Sequence, residues 1–244
     1  PLYSPLRLAE EIAILDHLSK GRLDVGVGRG VSPFELGFQN VAHDESRDIF
    51  LEAFDCLTTA HANDPFSFSG KRYSYSDVPM PLRPLQAPLP PFWYGSSNTI
   101  GATWAGEQGM HFVSNGPTGK ALDNIDAFRD ALARRGSPAH PEPEFDGGTA
   151  VGVLRHIVVA ETDARAQEIA RPALKHHNAS LNWLRRRYGS TELTKRIGAH
   201  ADESFESWTQ SGMVIAGTPE TVVDALSPQI EQLGINYLIS YLMF

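Results

Sequence analysis

Two short stretches of the chain carry residue types suited to holding an anion. Gly26-Val27-Gly28-Arg29-Gly30 places three glycines within five residues, so the backbone can take positive φ or approach a ligand closely, and its one ionic side chain is a guanidinium. Bare amides beside an arginine at a strand end suit a phosphate. Gly95-Ser96-Ser97-Asn98-Thr99 offers a glycine and several hydroxyls at the start of a predicted helix, whose first amides lack internal partners and carry partial positive charge. On residue types alone each stretch has a second reading. The first also fits a tight βα turn, and in the second Ser97 or Asn98 also fits a plain helix cap. The first is not the dinucleotide fingerprint, because its third glycine comes one residue early and no helix with an acidic residue ~20 positions on follows cleanly.

The surrounding elements must place both stretches at strand ends. Ser4-Pro5 is a helix-start signal, and Leu8, Ile12, Leu15 and Ser19, with Ala9, Ala13 and Asp16 beside them, predict an amphipathic helix over Pro5–Ser19 closed by Lys20-Gly21. A strand over residues 22–27 follows and ends in the glycine-arginine turn. Ser32-Pro33-Phe34-Glu35 has capping-box spacing. Residues 44–59 read as a helix with Ile49, Ala53, Cys56 and Leu57 inward, and residues 66–75 as a hairpin around Gly70-Lys71. The proline-rich residues 79–91 read as an extended connection.

From Phe92-Trp93-Tyr94 the strand-then-turn pattern returns, with helix 100–108, strand 110–114 and helix 119–135. Residues 138–148 read as a surface linker, residues 152–160 as a strand, and residue 163 onward as a helix. The polar stretch at about 171–212, with Arg185, Arg186, Arg187 and Lys195 facing several acids, reads as a helical insertion. Thr218 is placed to cap Pro219–Leu233, Gly234 to end it, and Tyr237–Leu242 forms the last strand. About five parallel strands with intervening helices make an α/β chain whose ligands belong at the carboxyl ends of the strands.

Composition narrows the partners. The 244 residues carry a net charge of -8 with no lysine/arginine block, which argues against nucleic acid or an anionic membrane surface. No apolar run approaches the ~18 residues of a membrane span, and the first residues lack the layout of a secretory signal. A single cysteine, Cys56, cannot close an internal disulfide, which predicts a reducing, cytoplasmic setting. The neighbours His176 and His177 point to different sides of a helix and lack partners at i+3 or i+4, so no metal site is expected.

Taken together, the segments from Pro5-Leu6-Arg7 through Lys20-Gly21-Arg22, the turn at residues 26–30, Pro84 to Pro91 leading into Gly95-Ser96-Ser97, and Ala216-Gly217-Thr218-Pro219-Glu220 with Gly234 resemble the bacterial luciferase-like flavin-dependent oxidoreductases. The resemblance implies a (β/α)8 TIM barrel that holds a reduced flavin at the carboxyl ends of its strands, here as one domain over residues 1–244. It implies that the chain lacks βα units before Pro1 and a closing helix after the last strand. In that family the residues matching Arg29, Ser96 and Thr99 hold the flavin phosphate, with Gly28, Gly30, Gly95 and Ser97 around them. Tyr94, Asn115 and Arg155 are expected to line the substrate pocket.

The family's catalytic histidine comes from the absent part, so no catalytic base is assigned, although His111 and His156 lie in predicted strands. The resemblance implies a monooxygenase in which a separate reductase supplies reduced FMN, oxygen is consumed and a small organic substrate is oxidised, with the protein a homodimer. A deazaflavin-dependent hydride-transfer enzyme, a non-catalytic flavin-binding or dimerisation subunit, and a phosphosugar-converting barrel are the alternative readings.

Overall fold

The computed structural model describes residues 1–30, 32–188 and 204–242, which fall into two compact units, Pro1–Trp93 and Tyr94–Phe244. In the first unit, helix α1 (Pro5–Ser19) starts on a proline that pre-sets φ; Ser4 sits at the N-cap, but its hydroxyl makes no capping bond. The helix buries Pro5, Ala9, Ile12, Ala13 and Asp16. Leu15, expected inward, is 51% exposed, because the buried stripe follows the alanines rather than the leucines. The left-handed exit begins at Lys20 (φ 60) and continues through Gly21 (φ 73), whose N–H reaches Asp16 O at 2.9 Å.

Strand β1 (Val25–Val27) is shorter than residues 22–27, because the preceding polar groups are committed elsewhere. Arg22 N–H goes to Ser19 Oγ at 3.2 Å, and Leu23 O accepts Gln86 Nε2 at 2.7 Å. Buried Asp16 accepts both Gln86 N–H and Gln86 Nε2, each at 2.9 Å, so one carboxyl group joins α1 to the proline-rich connection. Helix α2 (Pro33–Phe38) is capped by Ser32, whose Oγ accepts Glu35 N–H at 3.4 Å. Helix α3 (Ser46–Ala62) starts two residues later and ends three later than expected, with Ile49, Cys56 and Leu57 buried. The hairpin of β2 (Phe66–Ser69) and β3 (Ser74–Val78) is antiparallel, and Glu52 of α3 accepts N–H groups of Arg72 and Tyr73 at its turn. Val25 N–H donates to Pro91 O at 2.9 Å, setting β1 beside the start of β4 (Phe92–Ser96).

The second unit takes up the last three residues of β4 and continues with α4 (Thr99–Gln108), β5 (His111–Ser114), α5 (Thr118–Arg135) and the nine-residue β6 (Val151–Val159). Then come α6 (Asp163–Leu181), α7 (Trp183–Tyr188), α8 (Phe205–Gln210), β7 (Val214–Gly217), α9 (Pro219–Leu233) and β8 (Tyr237–Leu242). Helix α6 runs through residue 171 without a break, so the stretch expected as an insertion is in part its continuation. The side chains of Arg185 and Arg186, and Lys195 altogether, lie outside the described residues. Strand β7 is an addition to the expected strands.

Strand β6 organises this unit. It pairs in parallel with β5 over Val151–Val153, with β8 over Gly152–Ile157 and with β7 over His156–Val159. The β8 register overlaps both others, so β5 and β7 share one edge, end to end, and β8 takes the opposite edge. Alternation along the strand then sends its side chains to two layers. Val151 and Val153 pack with Phe112, Ile125, Phe128 and Leu233, and Ile157 packs with Ile215 and Val222. Facing the other way, Val158 packs on Ala166, Ala170 and Leu174 of α6, while the His156 ring meets those of His177, Trp208 and Tyr241 at centroid separations of 5.2, 5.4 and 5.1 Å. The two directions agree with right-handed crossovers, since β6-α6-β7 and β7-α9-β8 step across the sheet in opposite senses. The result is a mostly parallel α/β arrangement whose sheet, among the described residues, stays open rather than closing into a barrel.

Two packing features give direct tests. In α4, a Cβ added at Gly106 would lie 2.4 Å from Phe128 O and 2.8 Å from Ala131 Cβ, so α4 and α5 touch backbone to backbone there. Helix propensity alone favours alanine by about 1 kcal/mol. The contact reverses the sign, and Gly106→Ala is expected to lower stability by about 1–3 kcal/mol in urea unfolding.

The second test uses His61 and His156, both buried. Burial, reinforced by Arg83, lowers His61 to about 4, and burial with His177 and Arg155 lowers His156 to about 4, against an ordinary 6.5. The unfolded chain takes up these protons first, so their contribution is complete above pH 6.5 and is lost as pH falls toward 4. Unfolding free energy is expected to drop by about 1–2 kcal/mol per histidine between pH 7 and pH 5, and His61→Leu and His156→Phe should each flatten that slope.

Candidate functional site

At the exit of β1 the first unit has a cleft of about 270 Å³, floored by Gly26, Gly28 and Gly30 and walled by apolar side chains such as Leu8, Phe54 and Leu57. Arg29 lines it, half-buried, and among the described residues its side chain has neither a hydrogen-bond acceptor nor an acid partner. A Cβ added at Gly26 or Gly28 would meet nothing within 4 Å, so the strand end faces open space, and Gly30 holds φ +81, a conformation that disfavours any other residue. A guanidinium without a partner, beside exposed peptide groups and an apolar wall, is the donor set that an amphiphilic anion needs.

The second unit contains the other stretch. Ser96 is buried, and its hydroxyl is used locally, accepting Asn98 N–H at 3.2 Å and donating to Asn98 O at 3.0 Å. Asn98 is the cap of α4, its Oδ1 accepting Gly101 N–H at 3.0 Å. Ser97 and Thr99 are exposed, and among the described residues their hydroxyls have no hydrogen-bond partner. Thr99 opens α4, where Gly101 N–H is taken by the Asn98 cap and the amides of Thr99 and Ile100 have no helical acceptor. This end of the helix therefore has an anion-compatible set of donors, with Ser97 and Thr99 better placed for it than Ser96.

Strands β4 and β5 end together here. Asn115 N–H donates to Ser96 O at 3.0 Å, and the exposed Asn115 amide lies against Gly95, 3.0 Å from where a Cβ would stand. Tyr94 turns the other way, under α4, edge-on to Trp104 at 4.9 Å. His111 serves the connection to β6: Nδ1 accepts Ala150 N–H at 2.9 Å, and Nε2 lies 3.2 Å from Glu142.

Arg155 is 0% exposed and projects between α5 and α9. Its Nε donates to Gln229 Oε1 at 2.8 Å, Nη1 to Leu154 O at 2.8 Å and Gly116 O at 3.3 Å, and Nη2 to Thr118 Oγ1 at 3.4 Å. All these acceptors are neutral, and burial lowers the guanidinium to about 10. Of the residues expected to line a substrate pocket, then, Asn115 stands exposed at a strand end, whereas Tyr94 and Arg155 are packed against helices. The paired His176-His177 belongs to no group of three metal-ligating side chains among the described residues. Sequence reasoning missed β7 and a second cleft along its edge, of about 610 Å³. The run Val214-Ile215-Ala216 before Gly217-Thr218 was the available signal, the same strand-then-turn pattern seen elsewhere in the chain.

Comparison with known proteins places this arrangement. The chain matches the luciferase-like monooxygenase family over residues 1–237. It is 32% identical over 243 residues to the uncharacterized protein y4wF of Sinorhizobium fredii (strain NBRC 101917 / NGR234), covering 100% of this chain and 68% of that one. Its fold is shared with the oxygenating constituent of 3,6-diketocamphane monooxygenase, a type II Baeyer-Villiger enzyme from the CAM plasmid of Pseudomonas putida solved in complex with FMN (TM-score 0.76, 19% identity, 100% of this chain and 70% of that one). An F420-dependent secondary alcohol dehydrogenase, solved with an F420-acetone adduct, shares it as well (TM-score 0.74, 18% identity, 98% and 70%). The chain thus spans about two thirds of the length of these relatives. With a family match running through both the glycine-arginine turn and the hydroxyl-rich helix start, the chain belongs to the luciferase-like monooxygenase family of oxidoreductases.

Proposed function

We propose that this chain is the flavin-binding part of an oxidoreductase that uses reduced FMN and oxygen to oxidise a small organic substrate. The observation that carries the reading is Arg29, a half-buried guanidinium with no acceptor among the described residues, at a strand end where glycines leave open space beside an apolar wall. A flavin mononucleotide has the matching halves, a dianionic phosphate and a flat apolar ring system. When bound, the flavin supplies the electrons and activates oxygen. The chain's residues then have two tasks: Arg29 and the peptide groups of Gly28 and Gly30 neutralise and orient the phosphate, and Leu8, Phe54 and Leu57 keep water from the apolar part of the ligand.

In the second unit the donors compatible with phosphate are the hydroxyls of Ser97 and Thr99 and the first amides of α4, and Asn115 at the end of β5 is the proposed polar contact to substrate. No catalytic base is assigned to this chain. A separate flavin reductase as electron source and a homodimeric assembly belong to the same proposal.

The second reading is hydride transfer with a deazaflavin in place of FMN. It is favoured by the F420-dependent alcohol dehydrogenase and by an F420-dependent tetrahydromethanopterin reductase from Methanopyrus kandleri of the same fold (TM-score 0.67).

Two measurements test the proposal. Arg29→Ala is expected to weaken FMN binding by about 1.5–3 kcal/mol in fluorescence titration while leaving riboflavin almost unaffected; equal losses for both ligands remove the phosphate role from Arg29. With reduced FMN supplied and a substrate present, the full-length enzyme is expected to consume oxygen in proportion to product. Turnover that proceeds without oxygen in the presence of a deazaflavin selects the second reading.

A further inference from the structure

The second cleft, about 610 Å³, is bounded by Thr118 and Gly212, by Val214 and Ala216 of β7, and by Thr221 and Gln229 of α9. None of the described residues lining it carries a charged side chain. Its floor is a strand edge. Met213 O and Gly217 O serve β6 through His156 N–H and Ala160 N–H, so by alternation the peptide groups of Val214 and Ala216 face away from β6, toward the cleft. No described strand pairs with that edge.

Behind the wall stands Arg155. Thr118 and Gln229 both line the cleft and both accept its N–H groups, at 3.4 and 2.8 Å. Among the described residues no carboxylate pairs with this fully buried cation, and its second Nη2–H has no acceptor. A charge buried without a counter-ion is costly to retain, and a chain that only needed to tie Gly116, Leu154 and Gln229 together could do so with a neutral amide. The positive field of Arg155 therefore reaches a cleft whose described lining is uncharged and whose strand-edge N–H groups at Val214 and Ala216 are free to donate. The hydroxyls of Thr118, Thr209, Ser211 and Thr221 already donate to Ser211 O, Phe205 O, Trp208 O and Asp163.

We propose that this cleft binds the oxyanion group of a small ligand, a carboxylate or a phosphate, with Arg155 providing the charge through Thr118 and Gln229. The assignment is independent of the flavin reading: Arg29→Ala should leave it intact, so either can fail alone.

The test is the thermal midpoint of the full chain in chloride, acetate and inorganic phosphate at constant ionic strength. The wild-type midpoint is expected to rise by about 2–4 °C in at least one oxyanion relative to chloride. A rise in phosphate alone identifies a phosphate group, and a rise in acetate alone a carboxylate. Gln229→Glu places a carboxylate on Arg155 from within, so this variant should melt higher than wild type in chloride and lose the oxyanion response. Thr118→Val, which keeps the cation and removes the hydroxyl that links it to the cleft wall, should lower the response by half or more and covers the case in which the glutamate variant does not fold. An oxyanion response of wild-type size in both variants, or none in wild type, overturns the proposal.

Discussion

The second unit depends on one strand using both of its edges, β5 and β7 on one and β8 on the other. β6 has nine residues where its neighbours have four to six, and the extra length lets β5 and β7 follow one another along one edge while β8 occupies the other. Each of these pairings fixes which residues of β6 point to which layer, and all three agree. Consecutive residues with opposite requirements can therefore sit side by side: Arg155 among hydrogen-bond acceptors between α5 and α9, and His156 among the rings of His177, Trp208 and Tyr241. A shift of one residue would exchange them, placing a cation among aromatic rings and an imidazole among acceptors that now receive guanidinium N–H groups.

Much of this architecture was legible in the chain itself. Helices with strong end signals came out nearly to the residue: Pro5–Ser19 from its proline and its basic-glycine exit, and Pro219–Leu233 from Thr218 and Gly234, where the Thr218 hydroxyl accepts Thr221 N–H at 3.2 Å. Those signals are local, and local backbone chemistry decides them. The errors share a different origin. Which face of α1 is buried depended on what packs against it, and the small residues Ala9 and Ala13 were chosen over Leu15. Strand β1 lost three residues because Arg22 and Leu23 bond to Ser19 and Gln86, partners that periodicity does not reveal. Strand β7 is four residues long and exists because β6 extends past β5 to receive it, a fact held by another part of the chain.

The candidate site was readable to a similar degree. The glycine-arginine turn stood out in the chain because glycine spacing and a single guanidinium are properties of the segment itself, and in the structure it lines a cleft. Arg155, read as a pocket residue, is instead fully buried, and the distinction could not come from the sequence. An arginine in an apolar strand suggests function, but whether it faces a ligand or sits one side chain behind the wall is set by the register of three pairings.

The carboxyl group of Asp16 carries a consequence for how the first unit comes into being. It is buried within α1 and satisfied by Gln86, seventy positions along the chain, while the same glutamine closes on Leu23. Until residue 86 has emerged from the ribosome, α1 has a polar group it cannot bury, so the helix can form but cannot seat. The hairpin, by contrast, has its anchor on Glu52 of α3 before the connection is made, so it is the seating of α1 that awaits the proline-rich stretch. That connection, with little regular structure of its own, is the last piece that makes the unit cooperative.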